Sequence, residues 1–206
     1  MNRSDKASPS SSLWLPLFLL ACGLALRVVK LRSGGDDWSV NLAPWMALAF
    51  TGAIVSPRAL PFWVWPLALV ATDLAAQGTQ ALAYLPQIWM VYVCFAVAAI
   101  WGSSLKGRVG VMGTLGGAIV CSLGFYVLTS TQAWWVSPDY AKSVAGWAQA
   151  LTLGLPGFPP SLLFLRNSLI SDVGFSLVLL LAYNAEAVLR SVQRIPWTRS
   201  RAQAAA

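Results

Sequence analysis

The sequence predicts an all-α, polytopic membrane protein of about six transmembrane helices, and two observations carry that reading. Of its residues 57% are hydrophobic and only 10% charged, with a mean hydropathy of +0.64. Soluble domains carry about 25% charged residues, so this chain lacks the polar surface to cover itself in water. The second observation is order: apolar blocks recur along nearly the whole length, with polar residues gathered between them.

Residues 1–12, MNRSDKASPSSS, are polar and turn-rich and read as a disordered cytoplasmic N-terminus. A transmembrane domain follows over residues 13–189. Its first segment covers residues 13–26, with a basic margin at Arg27, Lys30 and Arg32. Its length and the lack of a small-x-small cleavage site favour a retained helix over a signal peptide. The second and third segments, 42–55 and 61–75, are short against the roughly 20 residues a spanning helix needs. They are tilted, irregular, or a pair that dips in and returns; each option gives an even number of crossings. The remaining segments are 87–105, 109–129 and 168–189, followed by a basic cytoplasmic tail over 190–206.

Charge orients the bundle. With both termini cytoplasmic, nine of the fourteen positive residues fall inside and five outside, as the positive-inside rule prefers. The five are Arg27, Lys30, Arg32, Lys142 and Arg166. The same scatter of single basic residues between apolar blocks argues against nucleic-acid binding despite a net charge of +7. Residues 130–161 differ in character, with Trp134, Trp135 and Trp147 around an amphipathic stretch and the breaker-rich LPGFPPS. They read as an interfacial anchor or as a lid over a cavity mouth.

In this topology Asn41, Asp73, Arg166, Asn167 and Asp172 all fall towards the outer face. Ionisable groups inside a membrane cost about 2.5–3.5 kcal/mol at a helix centre on insertion scales, so they persist when they pair, line a wet cavity or bind something. Asn41 could instead cap the second segment, and Asp73 and Arg166 could pair at the rim. Arg166 and Asp172, six apart, do not share a helix face, so each looks to another helix or to a ligand. Trp134 and Trp135 could stack on a planar ring. Ala21 and Ala25 form a small-xxx-small pair in the first helix, as Gly113 and Gly117 do in the fifth.

Several classes are excluded. The chain has no histidine, which removes a Ser-His mechanism and the commonest zinc ligand. Cys22, Cys94 and Cys121 sit singly in apolar runs and read as packing residues, not metal ligands. No GxxxxGK[ST] is present, so the chain cannot hydrolyse ATP by that route. Neither ATD nor ISD has the glycine-rich setting of an intramembrane aspartyl protease. No catalytic residue and no cofactor are expected.

In their order, NLAPWMALAFTGA, PLALVATD, VYVCFAVAAIWGSSLK and FLRNSLISD resemble the successive blocks of an uncharacterised bacterial multi-pass membrane family. The resemblance spans roughly residues 41–189. Departures are Ala43 where that family has Ser or Thr before proline, Thr72 in its S-D pair, and Ser130 or Thr131 where asparagine is usual. The family in turn resembles the substrate-binding (S) components of energy-coupling-factor transporters. That resemblance implies an S-component-like six-helix bundle in the bacterial inner (cytoplasmic) membrane. It would capture a small solute, such as a vitamin-like molecule or a cation, and work with a transmembrane coupling protein and ATPase subunits. It further implies a binding site drawn from Asn41, Asp73, Trp134, Trp135, Arg166, Asn167 and Asp172, with Ala21 and Ala25 meeting the coupling protein. The competing reading is a structural or accessory subunit of a larger membrane complex, embedded in lipid but with no transport role.

Overall fold

A computed structural model describes residues 14–33, 44–57, 60–83 and 85–198, and every regular element among them is helical. Helix α1 is Trp14–Ser33; a π-helical turn, Ala47–Thr51, runs directly into α2, Gly52–Val55. There follow α3 (Val64–Gln77), α4 (Gln80–Ala83), α5 (Leu85–Leu105), α6 (Val111–Val136), α7 (Val144–Leu151) and α8 (Ser161–Leu189). Three are long and apolar enough to cross a membrane: Trp14–Arg32, Val111–Val136 and Ser161–Leu189. Val64–Gln77 and Trp89–Leu105 are shorter apolar helices.

The short second segment is the hub. Residues 46–56 are all buried, enclosed by the helices packed around them. Its described helical residues, 45–55, rise only about 16 Å, about half of a ~30 Å hydrocarbon core. Its small residues admit neighbours closely, and so do glycines opposite. A Cβ on Gly102 of α5 would meet the Phe50 carbonyl, and one on Gly117 of α6 would enter the Phe50 ring. Gly113 meets only Val109, so the GxxxG of α6 is used at one glycine and not as a unit.

Three helix N-termini are capped from elsewhere in the chain. Free N–H groups at a helix start are costly away from water, and no lipid atom can satisfy them. Glu186 of α8 accepts from the Trp14 and Leu15 N–H groups at 3.0 and 2.7 Å, and its Oε1 also binds Arg190 at 2.7 Å. Asp172, also on α8, accepts from Ala47 N at 3.0 Å. At α6, Val111 N and Met112 N donate to the carbonyls of Pro196 and Trp197 at 2.8 and 3.0 Å. Asn184 fixes that returning chain by a two-way bond to the Ile195 backbone, at 2.7 and 2.9 Å. The tail beginning at residue 190 is therefore packed on the bundle through Trp197.

Three boundaries differ from the sequence expectation. Helix α1 continues through RVVKLR to Ser33, because Arg27 finds a buried partner instead of marking the helix end. Helix α6 continues to Val136, and α8 starts at Ser161, directly after the Pro159-Pro160 pair. At about 1.5 Å per residue, α6 and α8 measure roughly 39 and 43 Å, so each outruns a ~30 Å hydrocarbon core.

Candidate functional site

The C-terminal ends of α1, α3 and α6 and the N-terminal ends of α5 and α8 lie towards one end of the bundle, and the buried polar groups form two separate knots, one near that end and one deeper. In the first, Arg27 Nη2 meets Asp73 Oδ1 at 2.5 Å and Arg27 Nε donates to Thr72 Oγ1 at 2.9 Å. Tyr92 of α5 donates to Asp73 Oδ2 at 2.5 Å. The guanidinium also lies 3.5 Å above the Trp45 ring centroid, a cation–π contact. The partner of Asp73 is thus Arg27, not Arg166, and the knot ties α1, α3 and α5 to the start of the hub.

The second knot centres on Asp172, which is 1% exposed. Its Oδ1 accepts from Ala47 N, with Met46 N–H also directed at it, and its Oδ2 lies 2.7 Å from Ser122 Oγ of α6. One turn further along α8, Ser176 Oγ meets Thr51 Oγ1 at 2.7 Å. Asp172 looks to other helices, as its spacing from Arg166 required. Every carboxylate oxygen of Asp73 and Asp172 has a protein donor, so neither group is left waiting for a ligand.

The remaining candidates occupy different settings. Asn41 lies outside the described residues. Asn167 is buried, and its Oδ1 accepts from the neighbouring Arg166 side chain at 3.2 and 3.3 Å. Trp134 donates its indole N–H to Ala141 O at 2.8 Å, while Trp135 is 72% exposed. Their rings meet edge-on with centroids 5.9 Å apart. Ala21 and Ala25 are both exposed on α1, whereas Gly23 between them faces Leu48 and Phe175.

Open volume lies elsewhere at the same end. A cavity of about 310 Å³ sits between α6, α7, the loop after α7, and the start of α8. Phe125, Phe158 and Phe164 supply aromatic wall; Tyr126, Tyr140 and Ser168 supply hydroxyls. Among the described residues no charged side chain contributes to it, and none of the six described candidates does. Burial pushes the Tyr140 phenol above its ordinary pKa, so it stays a neutral donor.

The segment that borders the cavity is pinned from several points. Tyr126 O–H donates to Leu151 O, and Trp147 Nε1 donates to Thr131 Oγ1 at 2.9 Å. Ser143 caps α7 by accepting from Gly146 N at 3.2 Å. The Lys142 ammonium binds the Trp134 and Ser137 carbonyls, where the negative end of the α6 dipole favours a cation. Gln149 Nε2 holds the following loop through Gly154 O at 3.0 Å, and Gly154 adopts a φ of +73° that a side chain would resist.

A family model matches residues 7–194. The chain belongs to a family of unknown function, DUF6580. No curated protein and no solved structure matched it. Family membership therefore brings no assigned activity, and the chemistry of this DUF6580 chain has to come from its own residues. Of FLRNSLISD, on helix α8, Phe164 and Ser168 line the cavity while Asn167 and Asp172 are buried. Arg27, Tyr92, Ser122 and Glu186 escaped sequence reasoning. Arg27 was hidden in a basic margin, and the other three are ordinary residues whose partners on other helices lie 19 or more positions away.

Proposed function

We propose that this chain is an integral protein of the bacterial cytoplasmic membrane that captures a small solute in the cavity beneath α7. The carrying observation is that cavity: about 310 Å³, aromatic and hydroxyl-lined, bordered by Ala150 of α7 and by the loop that follows it. Its volume lies at the small end of the range for ligand sites. An uncharged wall favours a neutral molecule with a ring face and hydroxyl or carbonyl groups; a bare cation would find no counter-charge there.

Six elements make up the membrane domain in this reading: α1, α5, α6 and α8 cross, and the short hub and α3 form a pair that leaves an even number of crossings, with both termini cytoplasmic. The burial of Arg27 in an ion pair strengthens that orientation, because only four of the five outer positive residues then weigh as surface charge. The chain acts by binding, not catalysis, and hands its solute to a coupling protein and ATPases that meet α1 at its exposed Ala21 and Ala25. The internal saturation of Asp73 and Asp172 favours the accessory-subunit reading to this extent: those groups behave as scaffold.

Mild-detergent purification followed by mass spectrometry of extracted small molecules tests the proposal. A neutral solute at about one per chain is expected from the unaltered protein, and Ala133→Trp, which fills the cavity from its exposed wall, should lose it. If both preparations carry the same molecules, or neither carries one, the cavity is not the capture site.

A further inference from the structure

The cavity bordered by α6, α7 and α8 carries hydroxyls of two kinds. Tyr126 and Thr129 have committed their protons to backbone carbonyls, those of Leu151 and Phe125. Tyr140, Ser161 and Ser168 have not. All three line the cavity, at 8, 8 and 3% exposure, and none makes a hydrogen bond among the described residues. Their oxygens are not sealed in protein. Among the described residues the sealed side-chain polar atom without a partner is Gln132 Nε2, which is not part of this wall.

A buried hydroxyl without a partner is uncommon, because it gives up its hydration without replacement. A helical serine or threonine has an easy partner in the carbonyl one turn back. Thr114, Ser122 and Thr129 take it on α6, whereas Ser168, well inside α8, does not. Ser161 and Ser168 are seven apart, two turns, so they share one face of α8, and Phe164 lies between them on the same wall. Tyr140 reaches the cavity from the loop before α7. Beside Ser161, Gly154 leaves room: a Cβ there would stand 3.1 Å from Ser161 Oγ. Three uncommitted donors from two segments thus share a space walled by Phe125, Phe158 and Phe164.

We propose that Tyr140, Ser161 and Ser168 are the polar recognition groups of this cavity, donating to a flat, neutral ring that carries two or more hydrogen-bond acceptors, such as ring nitrogens or carbonyls. The proposal rests on the reading of the cavity as a capture site and names what that site recognises. The ring lies against the phenylalanines, and each acceptor receives a hydrogen bond that the protein itself leaves uncommitted. A ring without acceptors would strip hydration from the hydroxyls and replace it with nothing.

Two probes titrated onto the full chain in detergent, at matched free concentration, test it. Quinoxaline is a flat bicycle with ring nitrogens on two opposite edges; naphthalene has the same shape and none. Quinoxaline should bind saturably. Tyr140→Phe/Ser161→Ala/Ser168→Ala should weaken it about 25-fold, from two hydrogen bonds at about fivefold each, and change naphthalene binding less than about twofold. Free of probe, the same triple variant should melt no lower than the unaltered protein, because the deleted hydroxyls have no protein partner among the described residues. Tyr126→Phe, which loses the bond to Leu151 O, should melt lower. No saturable quinoxaline binding, equal losses for both probes, or a triple variant that melts as low as Tyr126→Phe would overturn the proposal. A copurified molecule lost from Ala133→Trp but held in full by the triple variant would also overturn it, with the capture reading left intact. Hydroxyl-dependent quinoxaline binding with no copurified molecule in any preparation would instead overturn the capture reading and keep the recognition groups.

Discussion

Arg27 and Asp73 make a buried ion pair whose two ends are further held by Thr72, Tyr92 and the Trp45 face. Removing one partner strands the other charge away from water, which costs about 3–5 kcal/mol in buried pairs. Arg27→Gln should therefore destabilise the bundle by that amount, and the double change Arg27→Met/Asp73→Leu should recover most of it. Denaturant unfolding in mixed micelles reads both; a near-neutral Arg27→Gln would mean that the pair is not a scaffold. At this scale, the burial of Asp73 and Asp172 was legible, because an aspartate inside an apolar block has to be explained. Their partners were not. RVVKLR looks the same whether its first arginine reaches water or turns inward to a helix 45 residues later, and only the packing distinguishes them.

Single glycines decide how closely α5 and α6 approach the hub. Gly117 faces the Phe50 ring, while Gly113 has only Val109 nearby. Gly117→Ala should cost about 1–3 kcal/mol by overpacking. Gly113→Ala should be neutral or stabilising by up to about 1 kcal/mol, from helix propensity alone. The same unfolding assay separates them, and equal costs would contradict the packing described. Of the elements, the long helices were legible because apolar runs of 20 or so residues admit little else. Their ends were harder to place: TSTQAWW and SLLFLRN are polar enough to read as loop, yet both lie in helices that outrun the hydrocarbon core. The hub was legible as short and irregular, but not as central. Nothing local says that a stretch with apolar residues on all sides is surrounded by protein and not lipid.

Across the whole molecule, α8 acts as a strut with one carboxylate in its middle part and one near its C-terminal end, each satisfying another helix's N-terminus. The returning tail does the same for α6 with backbone carbonyls. This division of labour explains why the charged candidates and the cavity separate. Arg27, Asp73, Asp172 and Glu186 bind other helices, and the cavity between α6, α7 and α8 is lined by uncharged side chains among the described residues. The sequence placed both at one end of the bundle, since polar residues and the tryptophan-rich loop fell on the same side of every segment. It could not separate them, because FLRNSLISD contributes to each from neighbouring positions on one helix. The most direct test is an experimental structure of the protein purified with its bound solute. The account predicts non-protein density in the cavity, between Tyr126, Phe164 and Ser168, with Arg27–Asp73 and Asp172–Ser122 intact. Solute density against Asp73 or Arg166, with the space beneath α7 closed, would contradict it.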